Sequence, residues 1–487
     1  MKLTARIFIA LLIGLNLFGQ PAPHVTSAQS RKPNVLFIAV DDLRPEFGAY
    51  GSSYIHSPNL DRLAKQGVTF DRAYVQQAVC SPSRSSLLTG TRPDTTKVWD
   101  LVTHFRTAIP DVVTLPQHFK NNGYFVQGMG KLYHGGYDDP PSWSVPWSNP
   151  KVVTYGIAEN EARQKASRGE NTPGVRGPAF EGADVPDNTF HDGALADLAI
   201  KTLGEMAKKN QPFWLGVGFT KPHLPFVAPK KYWDLYDPKK IQLAPNPFRP
   251  KDAPEFAIVP GGELRAYQNI PTSDIPDDLA RQLKHGYYAA ISYMDAQLGR
   301  VLDELDRLKL RDNTIVVLWG DHGWKLGEHG AWCKHSNVEN DTHAPLIISA
   351  PGLKTAGKHS PSLVEFVDVY PTLAELAGLP LPQHLEGLSL VPVLRDPAKA
   401  LKSAAFSQYP RPNKGQRLMG YSMRTERYRF TRWVARDDHS KVVAVELYDH
   451  QTDPQENTNI ASDPKNAALV AKLTEQWEKG WRGAQKK

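Results

Sequence analysis

The chain has 487 residues, of which 40% are hydrophobic and 22% charged, with 58 Lys and Arg against 51 Asp and Glu for a formal net charge of +7. This length supports two or three domains and a large core without disulfides, which excludes the small cystine-stapled folds. The mild basic balance points to an anionic partner, and no second long apolar run follows the N-terminus, which argues against stable membrane insertion.

Lys2 and Arg6 precede an apolar run from Ile7 to Phe18, and small residues follow through Thr26-Ser27-Ala28. This arrangement predicts a signal peptide over residues 1–28 and a secreted or periplasmic mature protein. The run is shorter than the about 20 residues needed to span a bilayer. In an oxidising compartment the two cysteines, Cys80 and Cys333, could pair or remain free.

Short, wholly apolar runs at residues 34–40, 213–219, 314–320 and 345–352 predict buried strands. Helical patterns lie at 58–66, 115–121, 189–209, 278–308 and 370–377. Strands alternating with helices imply an α/β fold whose sheet is covered on both faces. In such sheets the chemistry gathers beyond the carboxyl ends of the strands. Two aperiodic stretches, 138–186 and 237–276, are rich in Pro, Gly, Asn and Trp and predict lids or pocket walls. Near Lys399 the texture changes. Alternating segments at 404–410, 417–425, 428–436 and 442–449 predict an antiparallel sheet, closed by a helix over 464–479. The division is therefore a domain over 31–398 and a C-terminal subdomain over 399–487. Within the latter, "RYRFTRWVAR" (427–436) reads as a strand with one solvated basic face, and no nucleic-acid partner is expected.

Asp41 and Asp42 directly follow the first strand, and Asp321 and His322 follow the third. Carboxylates converging there need a buried arginine or a cation as compensation, and a hard divalent ion with oxygen ligands supplies it. Lys131 and His134 lie in "GMGKLYHGG", His223 in "FTKPHLPF", and Lys334 shortly after Asp321. Together they describe an anion pocket with titratable groups around a metal. Cys80 sits in "AVCSPSRSSLLTG", at a helix start beside Arg84, a setting that can activate a thiol.

"CSPSRSSLLTGTRP" resembles the Cys-x-Pro-Ser-Arg signature of the type I sulfatases, of the alkaline-phosphatase-like superfamily. The pieces "VDDLRPEFGAYG", "RPDTT", "GKLYHGG", "KPHLPF", "DHGWKLGEHG", "SQYPRP" and "MGYSMRTERYR" resemble the iduronate-2-sulfatase group. The resemblance implies a large mixed sheet sandwiched by helices, with a smaller C-terminal domain of antiparallel sheet plus a helix. It implies that a maturation enzyme converts Cys80 to Cα-formylglycine, so that no Cys80–Cys333 disulfide forms. One hydroxyl of the aldehyde hydrate attacks sulfur, and the second allows sulfate to be expelled. Further implications are a calcium ion on Asp41, Asp42, residue 80, Asp321 and His322, and Arg84 holding the hydrate. Lys131 would bind a sulfate oxygen, His134 serve as the base for release, and His223 and Lys334 stand near the leaving oxygen. Trp324, Lys334 and His223 would contact the sugar. The implied substrate is a sulfated sugar or polysaccharide, with 2-O-sulfated iduronate leading. The alternatives are a sulfatase of another sulfated glycan, or a phosphomonoester or phosphonate hydrolase of the same superfamily.

Overall fold

The computed structural model describes residues 32–167 and 169–486, so the expected signal peptide lies outside the described residues. Seven strands form the main sheet: β1 (Asn34–Val40), β2 (Val68–Tyr74), β3 (Phe125–Gly130), β4 (Phe213–Phe219), β5 (Thr314–Gly320), β6 (Leu346–Ser349) and β7 (Lys358–Glu365). Their order is β3-β4-β1-β5-β6-β2-β7. The four strands β3, β4, β1 and β5 run parallel. β6 runs against both β5 and β2, which makes the sheet mixed.

All residues of β1, β4 and β5 are buried, because helices cover both faces. Seven helices are used below: α1 (Pro58–Gln66), α2 (Cys80–Thr89), α3 (Leu115–Asn121), α4 (His191–Met206), α5 (Asp277–Arg307), α6 (Val369–Leu376) and α7 (Ala467–Glu478). Side chains alternate across a strand. Leu36, Ile38 and Val40 of β1 therefore join one core with Leu195 of α4 and Ile291 of α5. Val35, Phe37 and Ala39 join the other, with Leu87 of α2 and Leu373 of α6. Each such Leu, Ile or Phe contributes about 1.5–3 kcal/mol on burial. Among the described residues no helix is long and apolar enough to cross a membrane.

The all-apolar strands and α3 fall where the sequence pattern predicts. The predicted helix over 189–209 is shorter, since residues 187–189 form a separate 3-10 turn. The predicted loop over 138–186 contains a helix, Ala158–Ala166, none of whose residues is buried. Its sequence, AENEARQKA, has no apolar face and therefore no period to detect.

The C-terminal strands β8 (Ala404–Asn413), β9 (Gln416–Thr425), β10 (Tyr428–Ala435) and β11 (Asp438–Asp449) form an antiparallel sheet in sequence order. Leu473 of α7 packs with Met423, Phe430 and Leu447 of that sheet. The basic face expected on β10 is only partly solvated. Arg429 is 1% exposed and donates to Glu456 Oε1 and to Glu339 Oε2, each at 2.5 Å. Arg424 of β9 reaches the same Glu339 at 3.2 Å. These arginines tie the sheet to the segment that follows Asp321.

Candidate active site

The parallel register brings the strand ends together. Val40 pairs with Gly320 on one side and Phe219 on the other, and Gly218 of β4 pairs with Gly130. The residues leaving these four strands are therefore neighbours: Lys131, then Thr220 toward His223, then Asp41–Asp42, then Asp321–His322. Gly218 is required, because a Cβ there would collide with the Lys131 backbone. Asp42 has φ of 60°, in the left-handed region that a non-glycine residue rarely adopts. Such strain persists where surrounding contacts demand it, and here Asp42 N–H donates to Asp321 Oδ1 at 2.9 Å.

Cys80 is the first residue of α2, with Arg84 one turn on. Positions four apart share a helix face, and both side chains point at the strand ends. The Cys80 Sγ lies 3.5 Å from Asp41 Oδ1 and 3.3 Å from His322 Nε2. Arg84 is fully buried. Its Nε donates to Asp321 Oδ2 at 2.9 Å, its Nη2 to Asp41 Oδ1 at 3.1 Å, and its Nη1 to the carbonyls of Lys131 and Leu132.

The thiol is not activated by this setting. Burial pushes the Cys80 pKa well up, the Asp41 carboxylate adds to the effect, and Lys131 and Lys334 offset only part of it. A reactive thiolate at the helix start, one reading the sequence allowed, is therefore corrected: desolvation outweighs the nearby cations. Cys80 and Cys333 are both buried and unpaired.

Ligand atoms of Asp41, Asp42 and Asp321 lie within 4.8 Å of one another, as do those of Asp42, Cys80 and His322. His322 Nδ1 is 2.9 Å from the Gly323 carbonyl, to which it can donate. That leaves the Nε2 lone pair facing Asp42 Oδ1 at 3.4 Å and Asp321 Oδ2 at 3.6 Å, an orientation typical of a ligating histidine. The donor set, buried oxygens plus one imidazole, fits a divalent cation.

The basic residues surround this cluster. Lys131 Nζ pairs with Asp41. Burial disfavours the Asp41 charge, yet Lys131, His223 and Arg84 hold its pKa well below the usual carboxylate range. His223 Nδ1 lies 2.6 Å from the Leu224 carbonyl, which turns Nε2 toward Asp41, Asp42 and Glu263 at 3.9, 3.9 and 3.5 Å. His134 lines a cavity of about 520 Å³ with Lys131, Trp147, Asn149 and His191. Its Nδ1 has no protein partner. Burial, reinforced by Lys131, lowers its pKa to about 4.

Two findings were not legible in the sequence. Glu263 stands in a 3-10 turn, Gly262–Ala266, inside the aperiodic stretch 237–276. It accepts from Lys334 Nζ at 3.0 Å, while Lys334 also binds both Asp42 oxygens at 3.2 Å. Although burial opposes its charge, Lys334 and His223 lower the Glu263 pKa. Trp324, expected to touch the sugar, is only 1% exposed. Its ring packs edge-on against Phe226 and supports the Lys334 ammonium at 4.8 Å. Buried in this way it braces Lys334.

The sulfatase family profile matches residues 33–379, and a profile for the C-terminal part of N-sulphoglucosamine sulphohydrolase matches residues 327–482. The chain is 37% identical to iduronate 2-sulfatase of Mus musculus, over 90% of this chain and 93% of that one. Among solved structures, a 2-O GAG sulfatase superposes with a TM-score of 0.68 at 23% identity, covering 92% of this chain and 91% of the other. The phosphonate monoester hydrolase of Agrobacterium radiobacter superposes with a TM-score of 0.72 at 23% identity, covering 92% and 95%. These two share the fold. With the signature cysteine, its arginine and the carboxylate cluster gathered at the strand ends, the chain belongs to the sulfatase family, as an iduronate-2-sulfatase-like type I sulfatase.

Proposed function

We propose that this sulfatase is exported and removes sulfate from a sulfated sugar, with 2-O-sulfated iduronate or a related uronate of a polysaccharide as the leading substrate. It acts through formylglycine, made from Cys80 by a maturation enzyme, and a calcium ion held by Asp41, Asp42, residue 80, Asp321 and His322. Residues 399–487 form its C-terminal subdomain. The observation that carries this reading is the convergence of residue 80, Arg84 and Lys131 on one buried carboxylate cluster. When bound, the calcium ion supplies positive charge to residue 80 and to a sulfate oxygen. When converted, residue 80 supplies an aldehyde hydrate, with one hydroxyl to attack sulfur and a second to release sulfate. Arg84 orients residue 80 and neutralises Asp41 and Asp321. Lys131, partly exposed beside Asp41, meets developing charge on sulfate oxygens. His223, with Nε2 facing Asp41, Asp42 and Glu263, would give a proton to the leaving alcohol.

Neutral His134 is suited to take a proton during sulfate release. Its pKa of about 4 keeps it unprotonated through mildly acid and neutral pH. The acid limb of kcat set by this base is therefore expected near pH 4, not at the ordinary histidine range. His134→Gln is expected to lower kcat by about 10²–10⁴-fold and to remove that limb. An acid limb near pH 4 of equal strength in both proteins would contradict the assignment.

Charge favours sulfate over phosphate. Among the groups of the site directly hydrogen-bonded through Arg and Lys, Asp41, Asp42, Asp321 and Glu263 face Arg84, Lys131 and Lys334, leaving one negative charge over; a divalent ion would convert this to one positive charge. That balance matches a monoanionic sulfate ester better than a phosphomonoester dianion. Glu263→Gln is expected to raise turnover of an aryl phosphate relative to an aryl sulfate by about tenfold, a shift of 1.4 kcal/mol. An unchanged ratio would remove Glu263 from the discrimination.

Glu263 also bears on whether the site holds a cation for a uronate carboxylate. Lys334 is engaged by Asp42 and Glu263 and is not a spare cation for a sugar carboxylate. Lys334→Ala would unpair Asp42 and depress turnover of all substrates alike. The uronate preference is supported by the similarity to mouse iduronate 2-sulfatase. Sulfate release from defined sulfated mono- and disaccharides tests it. Fastest release from a terminal 2-O-sulfated uronate is expected, and equal rates on neutral sugar sulfates would overturn the uronate assignment.

A further inference from the structure

Asp42 is shared by both parts of the ligand cluster: it groups with Asp41 and Asp321 on one side, and with Cys80 and His322 on the other. Where its carboxylate reaches depends on its own backbone, since side-chain direction follows the main-chain torsions. The Asp42 φ of 60° is disfavoured for a residue with a Cβ. Relaxation toward negative φ would swing the carboxylate away from its partners, so both flanking peptides have to be held.

The peptide before Asp42 is held by Asp321, which accepts from Asp42 N–H. The peptide after it is held from α5. The Tyr287 hydroxyl donates to the Asp42 carbonyl at 2.7 Å and accepts from Arg44 N–H at 3.1 Å. Among the described residues neither that carbonyl nor that N–H has another hydrogen bond. One hydroxyl therefore closes the turn from residue 42 to residue 44, using its donor and its acceptor capacity together. Tyr287 is fully buried, and its ring packs edge-on against Phe226 with centroids 5.5 Å apart. A 31-residue helix delivers it, so the hydroxyl sits on a rigid element.

We infer that Tyr287 is a positioning residue for the cation site: its hydroxyl pins the peptide after Asp42 and so sets where the Asp42 carboxylate points. The inference rests on the reading that this cluster holds calcium. Calcium titration of the chelator-treated full chain, by competition with a chromophoric chelator, tests it on proteins matched for conversion at residue 80. Tyr287→Phe is expected to bind calcium about 10–100-fold more weakly than wild type, the usual effect of removing a group that orients a ligand. Tyr293→Phe is the control. Tyr293 is buried on the same helix, and its hydroxyl likewise donates to a carbonyl, that of Asp187 at 2.8 Å, and accepts from Gly193 N–H at 2.7 Å. Neither partner belongs to the cluster, so Tyr293→Phe is expected to keep wild-type affinity while losing the same kind of bond. Because either variant could fold poorly, hydrogen exchange of wild-type protein supplies a second readout. Coupling is reciprocal, and calcium is expected to slow exchange at the Arg44 amide more than at the Gly193 amide. Equal affinity in wild type and Tyr287→Phe, an equal loss in both variants, or no added protection at Arg44 would each overturn the inference and leave the calcium reading standing. Wild-type protein that takes up no calcium would overturn that reading, and this inference with it.

Discussion

Cys80→Ala is expected to lower sulfate-ester turnover by about 10⁵-fold or more, to the background of the uncatalysed site. The substitution removes the atom from which the proposed nucleophile is made, while Arg84, Lys131 and the carboxylates retain one another as partners. Folding should survive, because Sγ makes only loose contacts with Asp41, His322 and Lys131. Substrate should also still bind. Cys80→Ser is expected to be equally inactive unless the host matures serine. A folded Cys80→Ala protein with near-normal turnover would contradict the mechanism.

Asp321 variants are expected to lose metal and activity together, and the choice of substitution matters. Asp321 accepts from Arg84 Nε and from Asp42 N–H. Alanine would leave a fully buried guanidinium short of a partner, and breaking a buried pair costs about 3–5 kcal/mol. Asp321→Asn keeps the shape and an acceptor while removing the charge. Its calcium content is expected to fall below stoichiometric, with kcat reduced by about 10³-fold or more. The measurement is metal by atomic emission beside turnover of an aryl sulfate, with the melting temperature as a folding control. Full calcium with full rate would mean that Asp321 is no ligand.

The strands carrying the site were legible because they are buried on both faces and hence apolar throughout, as in NVLFIAV, FWLGVGF and TIVVLWG. Residues just past such strands, Asp41, Asp42, Asp321 and His322, were legible through the rule that chemistry collects at carboxyl ends. β2 was not, because Asp71 and Arg72 interrupt its apolar run near the edge of the sheet. Glu263 was not, because it comes from a stretch without periodicity and reaches the cluster only through tertiary folding. The charge excess of Lys131, His223 and Lys334 was its only signal, since a buried cationic cluster calls for a counter-charge. Trp324 was assigned to the sugar through the family resemblance alone. In space Phe226 and Lys334 enclose it. Burial likewise decides the state of the Cys80 thiol, which a helix start beside an arginine suggested was reactive.

The central claim is that residue 80 acts as formylglycine. Mass spectrometry of the tryptic peptide from Ala73 to Arg84, taken from fully active enzyme, tests this most directly. The account predicts a peptide in which one oxygen replaces sulfur and two hydrogens are lost, reactive toward a hydrazide probe, in a fraction that tracks specific activity across preparations. Fully active enzyme whose peptide carries only unmodified Cys80, or Cys80 in a disulfide with Cys333, would contradict it.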